Sequence, residues 1–181
     1  MATYAALLRG IAPAFPNMKN ADLRGVFEAL GFSGVRSVLS SGNIIFEAQT
    51  PEVKAWESEL EAAWPKRLGF KATTIIRSQK ELTKMLASDP FAGIAHGGRS
   101  YLLVTFFKHR PRLGFTLPHR PEGKPFRFVH YANGALLSVT DTTAPGDPGG
   151  WLERQYGKEI TSRTPQTVER ILRKMEEKGG S

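Results

Sequence analysis

Apolar residues in the first part of the chain alternate between the spacing of strands and the spacing of helices. Residues 3–9 form a short, mostly apolar run that is typical of a strand. In residues 20–31 the apolar positions recur every three or four residues, which predicts a helix. Two further apolar runs, 35–39 and 43–47, are separated by a few small polar residues, and this spacing predicts a hairpin.

A second helix and a fourth strand complete this pattern. Pro51 suits the first position of a helix, and Gly69 supplies a residue at which that helix can stop. Residues 72–76 predict the next strand. Residues 1–77 therefore follow the order β-α-β-β-α-β, which is that of a ferredoxin-like unit with two helices on one face of a mainly antiparallel sheet.

Polar residues at the predicted helix ends support these assignments. Asn20 is expected to cap the first helix, since asparagine side chains accept hydrogen bonds from the free N–H groups of a first turn. The segment from Ser78 to Glu81 matches a capping box, with serine and glutamate three positions apart. We therefore expect a further helix to begin after Ser78.

The rest of the chain forms a second section. Residues 101–107 predict a strong strand, and the proline-rich, basic residues 110–125 predict a long loop. Asn133-Gly134 lies between two apolar runs, and Asn-Gly in that position favours a tight hairpin. Helices are predicted over 151–158 and from Thr164-Pro165 to a stop at Gly179-Gly180.

Together these patterns predict an α+β protein. Its N-terminal ferredoxin-like half, residues 1–77, is expected to pack against a second α/β half, residues 78–181, with a mainly antiparallel sheet. We expect the two halves to form one compact unit.

Composition excludes several classes of site. The 181 residues include no cysteine, so disulfides, thiolate metal sites and a cysteine nucleophile are ruled out. The four histidines are not spaced as a metal-binding pair or finger, and we expect neither a metal nor a cofactor. The first residues lack a basic start and a long apolar core, and no apolar run reaches membrane-spanning length. We therefore expect a cytoplasmic protein without a membrane partner; the oligomeric state is open.

The formal charge of +8 is concentrated in one stretch. The segment from Arg99 to His130 contains seven lysine or arginine residues and one acidic residue, Glu122, which gives a net charge of +6. Aromatic residues are interleaved with these charges, a combination that suits the binding of single-stranded nucleic acid. The alternative is a solvated loop in a basic protein.

Short motifs along the chain carry a family resemblance. They are Tyr4–Ile11, Met18, Asp22–Arg24, Leu30–Phe32, Val35-Arg36, Ser41–Phe46, Thr161–Arg163 and Thr167-Val168. In order and spacing these segments resemble the bacterial domain of unknown function 1697 family. The resemblance implies a small, soluble α+β protein and no particular activity. The chain departs from the family pattern at Ala12–Phe15 and at Thr164–Gln166.

Two of these motifs give the candidate site. Arg9 and Gly10 end the first strand, and Lys19 precedes a helix whose N-terminal N–H groups suit an anion. Arg163 also lies just before a helix. The alternative is that Arg9 forms a structural salt bridge and Gly10 only turns the chain.

The second motif is Ser41-Gly42-Asn43, which precedes a strand. A serine nucleophile needs a base and an oxyanion hole, and no Gly-x-Ser-x-Gly motif is present, so a turn explains the same residues. If the first and third strands are antiparallel neighbours, both motifs lie at one edge of the sheet.

The function hypothesis is a cytoplasmic protein that binds an anionic ligand in a basic cleft, either nucleic acid or a phosphorylated small molecule. Arginine and lysine would supply charge, and Ser41 and Asn43 hydrogen bonds. An unrecognised enzyme using the same cleft, with catalytic residues unassigned, and a structural or protein-interaction module are the alternatives.

Overall fold

The computed structural model describes residues 1–177, so the predicted helix stop at Gly179-Gly180 lies outside the described residues. The chain forms five helices and eight strands in the described range. They are β1 Ala2–Leu8, α1 Asn20–Ala29, β2 Ser33–Ser37, β3 Asn43–Ala48, α2 Val53–Arg67, β4 Thr74–Ser78, α3 Gln79–Ala87, β5 Ser100–Phe107, β6 Phe126–Ala132, β7 Ala135–Asp141, α4 Pro148–Tyr156, β8 Ile160–Arg163 and α5 Pro165–Glu176.

The chain divides into two compact units, each with one four-stranded antiparallel sheet. The first unit is Met1–Glu81 with the chain from Glu169 onward, and the second is Leu82–Val168. The α+β class and the ferredoxin-like order of the first half are confirmed. The domain boundary at residues 77 and 78 stays a prediction.

The first sheet has the strand order β2-β3-β1-β4. One face packs against α1 and α2 through an aromatic core in which Phe27, Phe46 and Trp64 are fully buried. The opposite face is apolar as well, with Ala5 and Ile45 fully buried. The near-continuous apolar runs of β1 and β3 follow from this burial on both faces.

Arg36 also lies on that second face, where it pairs in register with Ile45. Its guanidinium donates to the carbonyl of Lys174 at 3.0 Å, and also to the carbonyl of Glu177. These carbonyls belong to the C-terminal end of α5, where a cation is favoured. The arginine therefore fixes the end of α5 within the first unit.

The second sheet repeats the topology of the first, with the order β6-β7-β5-β8. Its hairpin turns at Asn133 and Gly134, whose positive φ values of 48° and 78° are those that an Asn-Gly hairpin requires. An irregular segment, residues 108–125, connects β5 to β6 where the first unit has α1. The two units thus share one strand plan, that is, the same strand order with antiparallel pairing throughout.

Two backbone hydrogen bonds at the strand ends recur in both units. In the first unit they are Leu8 N to Gly42 O, 2.8 Å, and Arg9 N to Thr73 O, 2.9 Å. In the second they are Phe107 N to Gly134 O, 2.9 Å, and Lys108 N to Glu159 O, 3.0 Å. Arg9 and Lys108 therefore occupy equivalent positions.

The structure changes three details of the sequence prediction. Helix α1 is capped by the backbone of Lys19 without a side-chain cap, because Asn20 lies inside the helix and its amide donates to Leu39 O at 2.8 Å. Residues 160–163 form a strand that the sequence pattern missed. The helix predicted over 151–158 begins earlier, at Pro148, where Asp147 accepts a hydrogen bond from Gly150 N.

The capping box is confirmed. Ser78 Oγ accepts from Glu81 N at 3.3 Å, and the Glu81 carboxylate accepts from Ser78 N at 2.8 Å. None of the helices within residues 1–177 combines the length and hydropathy that a membrane span requires.

Candidate functional site

The end of β1 and the start of β3 meet at one end of the first sheet. The two strands are antiparallel neighbours, with Leu7 opposite Asn43. Just beyond this pair, Leu8 N donates to Gly42 O. The expectation that both motifs share one edge of the sheet is confirmed.

Both the backbone angle and the close neighbours of Gly42 require a glycine at this position. Its φ is +74°, in the left-handed region that favours glycine. A Cβ at this position would lie 2.7 Å from Ile11 Cγ1 and 3.0 Å from Leu8 Cβ. The glycine thus permits the chain that leaves β1 to cross closely over the loop that enters β3.

Asn43 organises the loop between β2 and β3. Its side chain is fully buried, and its amide nitrogen donates to Val38 O at 3.0 Å and to Ser41 Oγ at 2.9 Å. Val38 N donates in return to Asn43 O at 3.0 Å. Asn43 therefore positions the loop from inside, while Ser41 is exposed at its surface.

The start of α1 lies against the same loop. The hydrogen bond from the Asn20 amide to Leu39 O joins the first residue of the helix to the loop, and Leu39 holds a positive φ of 58°. Lys19 and Gly10 are exposed, and Arg9 is half-buried. Six predicted site residues thus lie in the first unit, at the end of the sheet where β1 ends and α1 begins: Arg9, Gly10, Lys19, Ser41, Gly42 and Asn43.

Arg163 belongs to the second unit, where it is the last residue of β8. Its guanidinium donates to Thr161 Oγ1 and to Ser162 O, both at 2.8 Å. Burial lowers the pKa of Arg163 to about 10, so the side chain is still charged at neutral pH. The approach of Arg163 to the other six residues stays a prediction.

Sequence reasoning missed two residues that shape these surroundings. Asn20 links helix and loop, although its sequence position suggested only a cap. Arg77 occupies in β4 the position that Arg163 has in β8, and its guanidinium donates to the preceding carbonyl, Ile76 O, at 2.7 Å. In both units an arginine is followed by a serine or threonine and then a helix, and this shared pattern was the available signal.

The chemistry of this sheet end is that of charge and hydrogen bonding. Arginine and lysine side chains, an exposed serine and a helix N-terminus are groups that bind anions. Within residues 1–177, no three histidine, aspartate or glutamate side chains are grouped so that they could hold a metal ion.

Comparisons with known proteins identify relatives by fold and by sequence family. A solved structure, described as conserved bacterial protein SP0830 from Streptococcus pneumoniae, matches the chain with a TM-score of 0.70. The two chains are 19% identical over 98% of this chain and 99% of that one, a level that shows a shared fold. The search of curated proteins gives no match. The family model described as protein of unknown function (DUF1697) matches residues 1–117, so the chain belongs to the DUF1697 family.

Proposed function

We propose that the protein binds an anionic ligand in the cytoplasm, and that the first unit does so at the end of its sheet where β1 meets β3. The ligand class is nucleic acid or a phosphorylated small molecule. Arg9 and Lys19 supply positive charge, and the Ser41 hydroxyl supplies a hydrogen bond. The buried Asn43 side chain supports binding indirectly, because it holds the loop that presents Ser41.

The observation that carries the proposal is the antiparallel pairing of Leu7 with Asn43. Because of this register, a residue just after β1 and a residue just before β3 lie at the same end of the sheet. The hydrogen bond between Asn20 and Leu39 adds the start of α1 to that end.

The helix start strengthens the preference for an anion. No side chain caps the first turn of α1, so its N–H groups face outward with the positive end of the helix dipole. Asp22 lies in this first turn and opposes an anion there. The negative charge of the ligand must therefore be balanced by Arg9 and Lys19, and these are the residues to substitute.

Thermal-shift titration with inorganic phosphate and with a single-stranded oligonucleotide tests the site. Arg9→Ala and Lys19→Ala are each expected to weaken binding about tenfold or more, since hydrogen bonds to charged groups contribute roughly 1.5–3 kcal/mol. Lys54→Ala is the matched control, because it removes one positive charge from the exposed first turn of α2. Equal losses in all three variants would contradict a localised site.

Salt dependence separates the two ligand classes. Binding to nucleic acid should weaken steeply as salt increases, because several counterions are released from the strand. A single phosphate group should give a much shallower slope. Binding of neither phosphate nor oligonucleotide at low salt would overturn the proposal.

A further inference from the structure

The second unit has a cavity at the sheet end that is equivalent to the candidate site of the first unit. Lys108 N donates to Glu159 O there, as Arg9 N donates to Thr73 O in the first unit. The cavity has a volume of about 180 Å³ and lies between the segment that leaves β5 and the segment that enters β8. None of its lining residues belongs to the candidate site of the first unit.

Aromatic and apolar side chains form the floor and two sides of the cavity, and polar side chains form the rest of its lining. Phe107 and Ile160 are buried beneath it, and Pro111 and Tyr156 stand at its sides. The rings of Phe107 and Tyr156 pack edge to face, with their centroids 5.7 Å apart. These side chains provide apolar contacts for a planar ring, which a bare anion could not use.

The rim of the cavity carries both signs of charge. Arg110 is exposed there, and His109 Nε2 lies 3.5 Å from Glu159 Oε2. A guanidinium binds phosphate or carboxylate groups, whereas a carboxylate accepts hydrogen bonds from the N–H groups of a ligand. A ligand that satisfies this rim combines an anionic group with N–H donors.

We propose that this cavity binds one nucleotide unit. The base lies against Tyr156 and Pro111 and donates an exocyclic amino hydrogen to Glu159, while the phosphate contacts Arg110. Drug-sized sites have volumes of roughly 300–1,000 Å³, so a cavity of this size accommodates the base and leaves sugar and phosphate at the rim. The surrounding basic stretch, with its net charge of +6 between residues 99 and 130, favours the phosphate further.

Titration of the full chain with the four ribonucleoside 5′-monophosphates, followed by NMR, tests the assignment. Arg110→Ala should weaken binding about tenfold or more, because it removes a charged hydrogen bond at the rim. Arg112→Ala is the matched control, since Arg112 is exposed two positions further along and does not line the cavity. Its effect should be less than about twofold. Equal losses, or no binding of any monophosphate, would overturn the proposal.

Two further measurements make the test specific. Glu159→Gln should weaken binding of adenosine, guanosine and cytidine monophosphates more than that of uridine monophosphate, because uracil has no exocyclic amino group. Loss of affinity that is the same for all four bases would contradict the role given to Glu159. At the resonances of the cavity residues, inorganic phosphate alone should bind far more weakly than a monophosphate, and comparable affinity there would rule out a base site.

The source of the nucleotide and the independence of the site can also be measured. An octanucleotide that binds at least tenfold more tightly than its monophosphate indicates a single strand, and similar affinities indicate a free nucleotide; both require a base in the cavity. Resonances of Phe107 and Tyr156 report binding at the cavity and those of Arg9 and Ser41 report binding in the first unit, so the site of the first unit can fail while this one stands. Resonance shifts at Arg9 and Ser41 but not at Phe107 and Tyr156 would place the ligand elsewhere.

Discussion

The two units share a strand plan but cover their sheets differently. In the first unit, α1 and α2 lie over one face and bury an aromatic core. In the second, α4 and the irregular segment 108–125 pack against the core that includes Phe126 and Phe128. The same sheet topology thus occurs with either a helix or an extended segment between its first two strands.

Half-buried and exposed residues alternate within the segment 108–125, so that one side of it covers the sheet. Leu113, Phe115 and Leu117 are half-buried against the core, and the residues between them are exposed. Near its end, His119 exchanges two backbone hydrogen bonds with Phe128, 2.8 and 2.7 Å long. The segment therefore behaves like an edge strand, and its exposed positions include the basic residues that concentrate charge in this part of the sequence.

The largest test of this difference compares the tryptophans that pack on the two sheets. Trp64 is fully buried and its indole N–H donates to Thr74 Oγ1 at 2.9 Å, whereas Trp151 is half-buried beside Phe128. Trp64→Ala should lower the free energy of unfolding by about 3–5 kcal/mol, and Trp151→Ala by about 2 kcal/mol. Urea denaturation measures both. A larger loss for Trp151 would show that the extended covering is the more tightly packed of the two.

Glycine-to-alanine substitutions at the candidate site are expected to give the second-largest change in the free energy of unfolding. Gly42 and Gly10 have nearly the same φ, +74° and +75°, but only at Gly42 would a Cβ meet other atoms. Both changes to alanine cost about 1 kcal/mol for the left-handed backbone, and Gly42→Ala should cost roughly 1–3 kcal/mol more from overpacking against Ile11. Equal free energies of unfolding would mean that the loop relaxes freely around the new methyl group.

Local signals explain what the sequence could predict. The capping box at Ser78 and the Asn133-Gly134 hairpin were predictable because each depends on a few adjacent residues with a fixed backbone preference. Strand β8 was missed because Ile160–Arg163 is short, polar at three of four positions and at a sheet edge. The equivalence of Arg77 with Arg163 has a local signal, an arginine followed by serine or threonine and a helix. Their common register depends on pairing with distant strands, which that local pattern does not contain.

The helices that follow the last strand of each sheet allow a smaller comparison. Ser78 forms a reciprocal capping box with Glu81. Thr164 Oγ1 accepts from Thr167 N at 3.3 Å and shares a hydrogen bond with the Thr167 hydroxyl. Ser78→Ala should cost about 1–2 kcal/mol and Thr164→Ala about 1 kcal/mol. Ser58→Ala is the control, since Ser58 donates to Lys54 O within α2 and its replacement should be neutral or slightly stabilising. A neutral Thr164→Ala would break the equivalence of the two caps.

The smallest effect concerns one exposed carboxyl group in each unit. Hydrogen bonds from Thr143 lower the pKa of Asp141 below 3.8, and a hydrogen bond from the Lys174 ammonium lowers the pKa of Glu177 below 4.5. Because both pKa values are depressed, the stabilisation is present above the ordinary values and is lost as pH falls through the lowered ones. In an NMR titration at high salt, the pKa of Glu177 should rise because its donor is charged, and that of Asp141 should stay low because its main donor is neutral. Thr143→Ala removes the hydroxyl donor and should raise the pKa of Asp141 alone. An unchanged value would assign the shift to the backbone N–H of residue 143, with Arg99 and Arg120, instead.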